Sequence, residues 1–259
     1  MLNNLEEAGE KINLLVRETF ENGKLQDFLD TLAKMPNISY GNCLLLKNQL
    51  EDVSKVLPKE VWEKYGKQVN ELAEPLQIIK YVKDGENTQY KLQEVYDVSQ
   101  TDSMKVTKGH DKKVVTKIMD NMQKKLDEKY RIRFEKKEYI DETIRQIIFT
   151  MNDFSNDGDS IDFVDNIRFV VEPTIYTIEK HFGFETTNNN DIKHICMWGI
   201  DQDNDKLKNG LKDIQRMVNA FIKEFEREQK KFLININYKT EEQESNKGHL
   251  YALLIREKI

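Results

Sequence analysis

The chain has 259 residues, of which 38% are hydrophobic and 33% are charged, and its formal net charge is −6. This length suits one large domain or two modest ones with a proper core, and the negative charge argues against a protein that binds nucleic acid with its whole surface, leaving room only for a local basic face. No apolar run approaches the roughly 18 residues that a membrane-spanning helix needs, and the first residues lack the basic and apolar segments of a secretory signal.

The chain has two cysteines, Cys43 and Cys196, which lie beside apolar residues and lack the spacing of a metal site. This pattern favours buried free thiols over a disulfide, which fits a reducing compartment. We therefore predict a cytoplasmic protein that does not contact a membrane.

The first 103 residues predict helices followed by a β-hairpin, because apolar residues recur first at helical and then at alternating spacing. The predicted elements are a helix over 5–35 that breaks near Asn22 and Gly23, a helix capped by Ser39, a short helix between Pro58 and Gly66, and two strands, 76–82 and 90–96, joined by a turn at 84–87.

The rest of the chain predicts mostly helices between charged segments. Residues 104–137 carry twelve Lys or Arg against five Asp or Glu, a local net charge of +7, whereas 153–166 form an acidic loop. The basic segment could face a nucleic acid or could be a solvated helix face. The predicted elements are a helix from Val114 to Leu126, a strand at 130–134, helices over 138–152, 166–182 and 204–231 with Pro173 in a first turn or at a kink, and a terminal strand pair at 233–238 and 249–255.

Three stretches follow one another in the first 103 residues. They read SYGNCLLL at 39–46, VWEKYGKQV at 61–69 and VYDVSQTD at 95–102. In this order they resemble the N-terminal domain of ArdC-type antirestriction proteins and their LtrC-like relatives. The resemblance implies a domain over 1–103 of the kind that binds single-stranded DNA.

The resemblance implies that aromatic side chains stack on bases while basic and amide groups hold phosphates. The candidate contacts with single-stranded DNA are Tyr40, Asn42, Trp62, Lys64, Lys67 and Gln100. From the residues alone, Tyr40 and Trp62 could equally be core aromatics. Asn42 could instead pin a turn, and Gln100 could hold a strand end. The basic KGEKG loop of the family is replaced at 70–75 by NELAEP, which would repel phosphate.

A second set of stretches resembles the zincin-like metallopeptidase domain of the same family. It comprises VEPTIYTIEKHFG at 171–183, MWG at 197–199 and the long helix that follows. That domain needs HExxH on a helix, where two His ligate zinc and the Glu polarises the bound water. The corresponding positions here hold Arg145, Gln146 and Phe149, with Glu172 at the place of the acidic ligand. We therefore predict a degenerate zincin-like domain over 104–259 that has no metal, no cofactor and no catalytic residues.

Together these features predict an α+β fold: an ArdC-type N-terminal domain of helices and a hairpin, then a degenerate, mostly helical zincin-like domain with a C-terminal strand pair. The predicted function is that of a non-enzymatic accessory protein of a plasmid, conjugative element or phage. It would bind single-stranded DNA in an antirestriction or anti-defence role or protect DNA during transfer. The alternative is an inhibitor that binds a host defence nuclease or another effector through acidic surfaces, without binding DNA.

Overall fold

The computed structural model of the chain describes residues 2–84, 87–102, 109–130, 139–152, 161–186 and 189–241. These residues form a mixed α+β fold that is mostly helical. In chain order the elements are α1 (Leu5–Glu21), α2 (Leu25–Lys34), α3 (Tyr40–Gln49), β1 (Val56–Leu57), α4 (Lys59–Lys64), β2 (Leu76–Asp84), β3 (Asn87–Asp97), a 3₁₀ turn (Val98–Gln100), α5 (Lys112–Tyr130), α6 (Ile140–Asn152), α7 (Ile161–Phe182), α8 (Asn189–Ile200) and α9 (Asn204–Glu241).

The boundaries of the first helices follow from local chemistry. Gly23 has a φ of +67°, a left-handed conformation that favours glycine, and it separates α1 from α2 as predicted. Ser39 caps α3, since its side chain accepts a hydrogen bond from the Asn42 N–H at 3.3 Å. Gly66, with a φ of +68°, follows the end of α4. The predicted helix break, cap and stop are therefore confirmed.

The sheet has three antiparallel strands in the order β1-β3-β2. The predicted hairpin is confirmed, and it is longer than expected because pairing runs from Leu76 opposite Val95 to Asp84 opposite Asn87. The sequence did not predict β1, since a strand of two residues carries no alternation to detect.

The helices α5, α6, α7 and α9 confirm the predictions made for this region, with shifts at their ends. Pro173 lies in the interior of α7 and not in a first turn, because the helix begins at Ile161. The helix α8 was not predicted, and it is the element that carries Trp198.

The predicted C-terminal strand pair is wrong in its first half. Residues 233–238 lie inside α9, which continues to Glu241. A short alternating apolar run cannot by itself distinguish strand from helix, and extending an existing helix adds one backbone hydrogen bond for each residue fixed. Three predicted segments lie wholly or mostly outside the described residues. They are the strand at 249–255, the strand at 130–134 and the acidic loop.

The main hydrophobic core contains buried residues from α1 to α3 and from α5 to α9. Its largest fully buried side chains include Phe20, Phe28, Tyr176, Phe182 and Phe221. A smaller cluster of Leu46, Val53, Leu76 and Val95 lies beneath the sheet. Helices on both sides of the predicted domain boundary at 103 thus share one core, and the boundary itself stays a prediction.

Cys43 and Cys196 are both free and buried, as the sequence predicted. Within the described ranges, none of the helices combines the length and the apolar character that a membrane span requires.

Candidate nucleic-acid interface

The stretch 95–102 is organised around a buried carboxylate. Asp97 is 0% exposed; its Oδ2 accepts hydrogen bonds from the N–H groups of Ser54 (2.7 Å) and Lys55 (2.9 Å), and its Oδ1 accepts from that of Ser99 (2.9 Å). Burial alone would raise the pKa of Asp97, but these hydrogen bonds outweigh it and hold the pKa below its ordinary value. Asp97 thus joins the segment before β1 to the end of β3.

Gln100, a predicted DNA contact, serves the same stretch. Its Oε1 accepts from the Asp97 N–H at 2.8 Å, and its Nε2 donates to the carbonyl oxygen of Glu74 at 2.7 Å. Both ends of the amide are engaged by backbone groups. This geometry favours the alternative in which Gln100 holds the end of a strand.

Trp62, a second predicted contact, is only 3% exposed. Its Nε1 donates a hydrogen bond of 2.8 Å to the carbonyl oxygen of Tyr96, and the Nζ of Lys55 lies 5.8 Å from the ring centroid. A ring buried in this way has no free face on which a base could stack. The geometry favours the core alternative for Trp62.

Asn42 belongs to a pair of amide side chains that fix the hairpin to α3. Asn42 donates to the Ile79 carbonyl oxygen and accepts from the Ile79 N–H, both at 2.8 Å. Gln49, two turns further on, donates to the Gln77 carbonyl oxygen at 2.9 Å and accepts from the Gln77 N–H at 2.8 Å. These side chains bond to the edge of β2 as a neighbouring strand would. Asn42 therefore positions the hairpin, which favours its structural alternative.

The other predicted contacts are more accessible. Tyr40 is partly buried and packs against the main core, whereas Lys64 is exposed at the end of α4 and Lys67 is partly exposed just after it. Of the six predicted contacts, these two lysines are the accessible cations.

The outer half of the hairpin carries an aromatic pair that the sequence analysis missed. Tyr81 and Tyr90 lie directly opposite each other on β2 and β3, and their rings meet edge to face with centroids 5.7 Å apart. They are 55% and 59% exposed, although tyrosines usually bury much of their ring. Exposed rings of this kind can serve as platforms on which unpaired bases stack.

Three exposed lysines surround this pair. Lys80 and Lys91 lie directly opposite each other on the other face of the hairpin, and Lys83 shares the face of the tyrosines. Like charges directly opposite each other destabilise a strand pair, and a bound anion would relieve that repulsion. We call Lys80, Tyr81, Lys83, Tyr90 and Lys91 the hairpin surface.

The register of the hairpin could have revealed this surface from sequence. A turn at 84–87 with Asp84 opposite Asn87 puts Tyr81 opposite Tyr90, because register in a hairpin follows from the loop length. The predicted turn therefore implies the pairing of the two tyrosines.

The described part of the basic segment is α5, and some of its lysines make contacts within the protein. Lys125 forms an ion pair with the buried carboxylate of Glu228 on α9, which also accepts from the Nζ of Lys231 at 2.8 Å. Burial would raise the pKa of Glu228, but the two lysines outweigh it and lower that pKa. Lys125 thus joins α5 to α9.

The four positions that the sequence resemblance compares with a peptidase metal site hold an arrangement without a metal ligand set. The Nη1 and Nη2 of Arg145 donate to the Oε1 and Oε2 of Glu172 at 2.5 and 2.9 Å. Gln146 accepts a 2.6 Å hydrogen bond from Gln123, and Phe149 packs against the core. This two-bond geometry is the favoured one for a guanidinium and a carboxylate, and the hydrogen bond to Glu172 raises the pKa of Arg145 despite partial burial. The ion pair joins α6 to α7.

We expect Glu172→Ala to lower the free energy of unfolding by about 2 kcal/mol, because it removes the carboxylate that Arg145 contacts. The loss stays below the ~3–5 kcal/mol of a fully buried pair because the Arg145 side chain is 35% exposed. Replacing both Arg145 and Glu172 with Met should cost less stability than the sum of Arg145→Met and Glu172→Met made singly. Urea unfolding of the single and double variants measures this coupling, and additive losses would contradict it.

No group of three or more His, Cys, Asp or Glu side chains in the described ranges is arranged to hold a metal ion. Comparisons with protein-family models, with curated proteins and with solved structures find no match for this chain. The resemblance to ArdC-type proteins therefore stays a hypothesis from the sequence stretches alone.

Proposed function

We propose that this protein is a non-enzymatic binding protein that holds single-stranded DNA against the hairpin surface. The observation that carries the proposal is the exposed, directly paired Tyr81 and Tyr90, with lysines on both faces of the same hairpin. The resemblance to ArdC-type proteins supports a role in antirestriction, in anti-defence or in the protection of transferred DNA.

The chemistry of the hairpin surface favours single strands over duplexes. Stacking on an aromatic side chain contributes about 1–3 kcal/mol per base and needs an accessible base face, which a duplex hides. The lysines add a contribution to the binding free energy that does not depend on the base sequence, because neutralising phosphates releases counterions. A net charge of −6 limits the attraction for phosphate to local clusters of basic residues.

The absence of catalysis is part of the proposal. It is supported by the positions that correspond to the metal ligands, where Arg145 bonds to Glu172 and Gln146 bonds to Gln123. A guanidinium brings its own positive charge to the place where the resembling peptidases hold zinc. Metal analysis of the purified protein should find no stoichiometric zinc, and finding it would contradict this part.

The proposal predicts that binding of a short oligo-dT weakens steeply with salt, and that Lys83→Glu, on the face of the tyrosines, reduces the steepness. Removing one phosphate contact should lower the slope of log K against log salt by about 0.7. Fluorescence anisotropy across a salt series measures it, with Lys24→Glu and Lys212→Glu, each alone, as the controls, since these exposed lysines outside the hairpin change the net charge equally.

An equal effect of the controls would show that total charge matters and not the hairpin. Failure of the unaltered protein to bind at low salt would contradict the proposal. That result would favour the alternative in which acidic surfaces bind a host defence protein.

A further inference from the structure

A second aromatic site with cations lies on the helical side of the molecule. A pocket of about 150 Å³ opens between α7 and α8, and it is lined by Arg168, Phe169, His194, Ile195 and Trp198. None of these residues belongs to the hairpin surface or to the positions that correspond to a metal site.

Trp198 is the outermost ring of a three-ring stack. Phe20 and Phe169 stack with centroids 5.8 Å apart and planes inclined by 28°, and Phe169 meets Trp198 at 4.8 Å and 50°. Phe20 and Phe169 are buried, whereas Trp198 is partly exposed. The stack thus offers an aromatic ring at the wall of the pocket.

Two glycines allow the inner rings to lie where they do. A Cβ at Gly210 would come within 1.8 Å of Cε1 of Phe169, and a Cβ at Gly199 within 2.3 Å of Cδ1 of Phe20. Both rings therefore lie directly on helix backbone. Because close packing holds them in place, Trp198 is set at the pocket before any ligand arrives.

One cation lies over this ring, and a second lines the same pocket. The Nζ of Lys206 lies 4.9 Å from the Trp198 ring centroid, and Arg168 Nη2 donates to Asp191 Oδ1 at 2.8 Å. A guanidinium has five N–H donors, so Arg168 can bind a further anion while Asp191 holds it at the pocket. Asp191 offsets part of the positive charge, so the affinity for a small anion is modest.

We propose that this pocket binds one nucleotide of a single strand, with the base against Trp198 and the phosphate between Arg168 and Lys206. A ring with a cation over its face, beside an arginine that lines the same pocket, fits a ligand that is both aromatic and anionic, with the Lys206 ammonium moving from the ring to the phosphate when the base binds. The inference rests on the proposed function and extends it, because it gives the bound strand a second contact away from the hairpin surface.

Tryptophan fluorescence tests the inference, since the chain has two tryptophans and Trp62→Phe leaves Trp198 as the single reporter. Titration with dAMP should quench that emission and saturate in the millimolar range, whereas inorganic phosphate alone should not quench it. Arg168→Gln with Lys206→Gln should weaken the dAMP effect at least about tenfold, because it removes both cations from the phosphate and one charged contact alone is worth about that factor. Lys212→Gln, an exposed lysine on the same helix as Lys206, is the control.

If Trp62→Phe impairs folding, a comparison of the unaltered protein with Trp198→Phe gives the same test. The saturable quench should appear in the unaltered protein and be absent from Trp198→Phe. The test also distinguishes the two proposals. Oligonucleotide binding that depends on Tyr81 and Tyr90, without a dAMP quench, overturns the pocket and leaves the hairpin function intact. A dAMP quench that survives Tyr81→Ala with Tyr90→Ala supports the pocket. If Arg168→Gln with Lys206→Gln weakens the dAMP quench no more than the Lys212→Gln control does, the pocket is overturned.

Discussion

Replacing the two hairpin tyrosines together, Tyr81→Ala with Tyr90→Ala, should reduce affinity for a short single-stranded oligonucleotide at least about 30-fold. Each ring that stacks on a base contributes about 1–3 kcal/mol, so losing both costs about 2–6 kcal/mol. Fluorescence anisotropy with labelled oligo-dT at fixed low salt measures the change. Because both side chains are more than half exposed, the thermal midpoint should hardly move.

The matched control is Leu14→Ala with Tyr139→Ala. These side chains are 50% and 61% exposed, and they lie on α1 and just before α6, outside the hairpin and outside the three N-terminal stretches. Phenylalanine at positions 81 and 90 should retain most of the affinity, since stacking needs the ring and not the hydroxyl. Equal losses from the two alanine pairs would refute a specific role for the hairpin.

The second large effect is on stability. We expect Asp97→Ala to lower the free energy of unfolding by about 3 kcal/mol, because it removes a buried carboxylate that accepts hydrogen bonds from the N–H groups of Ser54, Lys55 and Ser99. Asp97→Asn should cost about 2 kcal/mol, since an amide keeps one acceptor oxygen but brings N–H donors towards these N–H groups. Urea unfolding at neutral pH measures both losses.

The effect of Asp97 also depends on pH in a definite direction. Its pKa is lower in the folded protein than the ordinary value of about 3.9 that it has when unfolded. Its contribution is therefore fully present at about pH 5 and above, well above the unfolded pKa, and is lost as the pH falls through the folded pKa. The gap in stability between the unaltered protein and Asp97→Asn should shrink between about pH 5 and pH 3.

Asp102→Asn is the control for both measurements. Asp102 is exposed, and its Oδ1 accepts a single hydrogen bond of 3.0 Å from the Gln68 N–H. Its replacement should cost less than about 1 kcal/mol. A loss at Asp97 no greater than at Asp102, or a gap that stays constant down to about pH 3, would contradict the role given to the buried carboxylate.

The sequence predicts local features of this fold well and distant pairings poorly. Gly23, Ser39 and Gly66 act within one turn of the chain, so their roles could be predicted from neighbours alone. The continuation of α9 through 233–238 depends on a helix that begins at Asn204, which is beyond the reach of a short alternating pattern.

The candidate site shows the same division. Nothing in the residue types separates a buried Trp62 from an exposed Tyr81, because the difference arises from what packs against each in the fold. The amide contacts of Asn42 to Ile79 span 37 positions, and the ion pair of Arg145 with Glu172 spans 27. Contacts between residues this far apart in the sequence form only when the helices and the hairpin pack together.

Photo-cross-linking tests the central claim most directly. A bromouracil-substituted single strand, bound at low salt and irradiated, should cross-link to tryptic peptides from 80–91 that contain Tyr81 or Tyr90. Competition with excess unlabelled single strand should abolish these cross-links, whereas the same amount of duplex should have little effect. Binding with no cross-link in 80–91, or no saturable binding at all, would contradict the account.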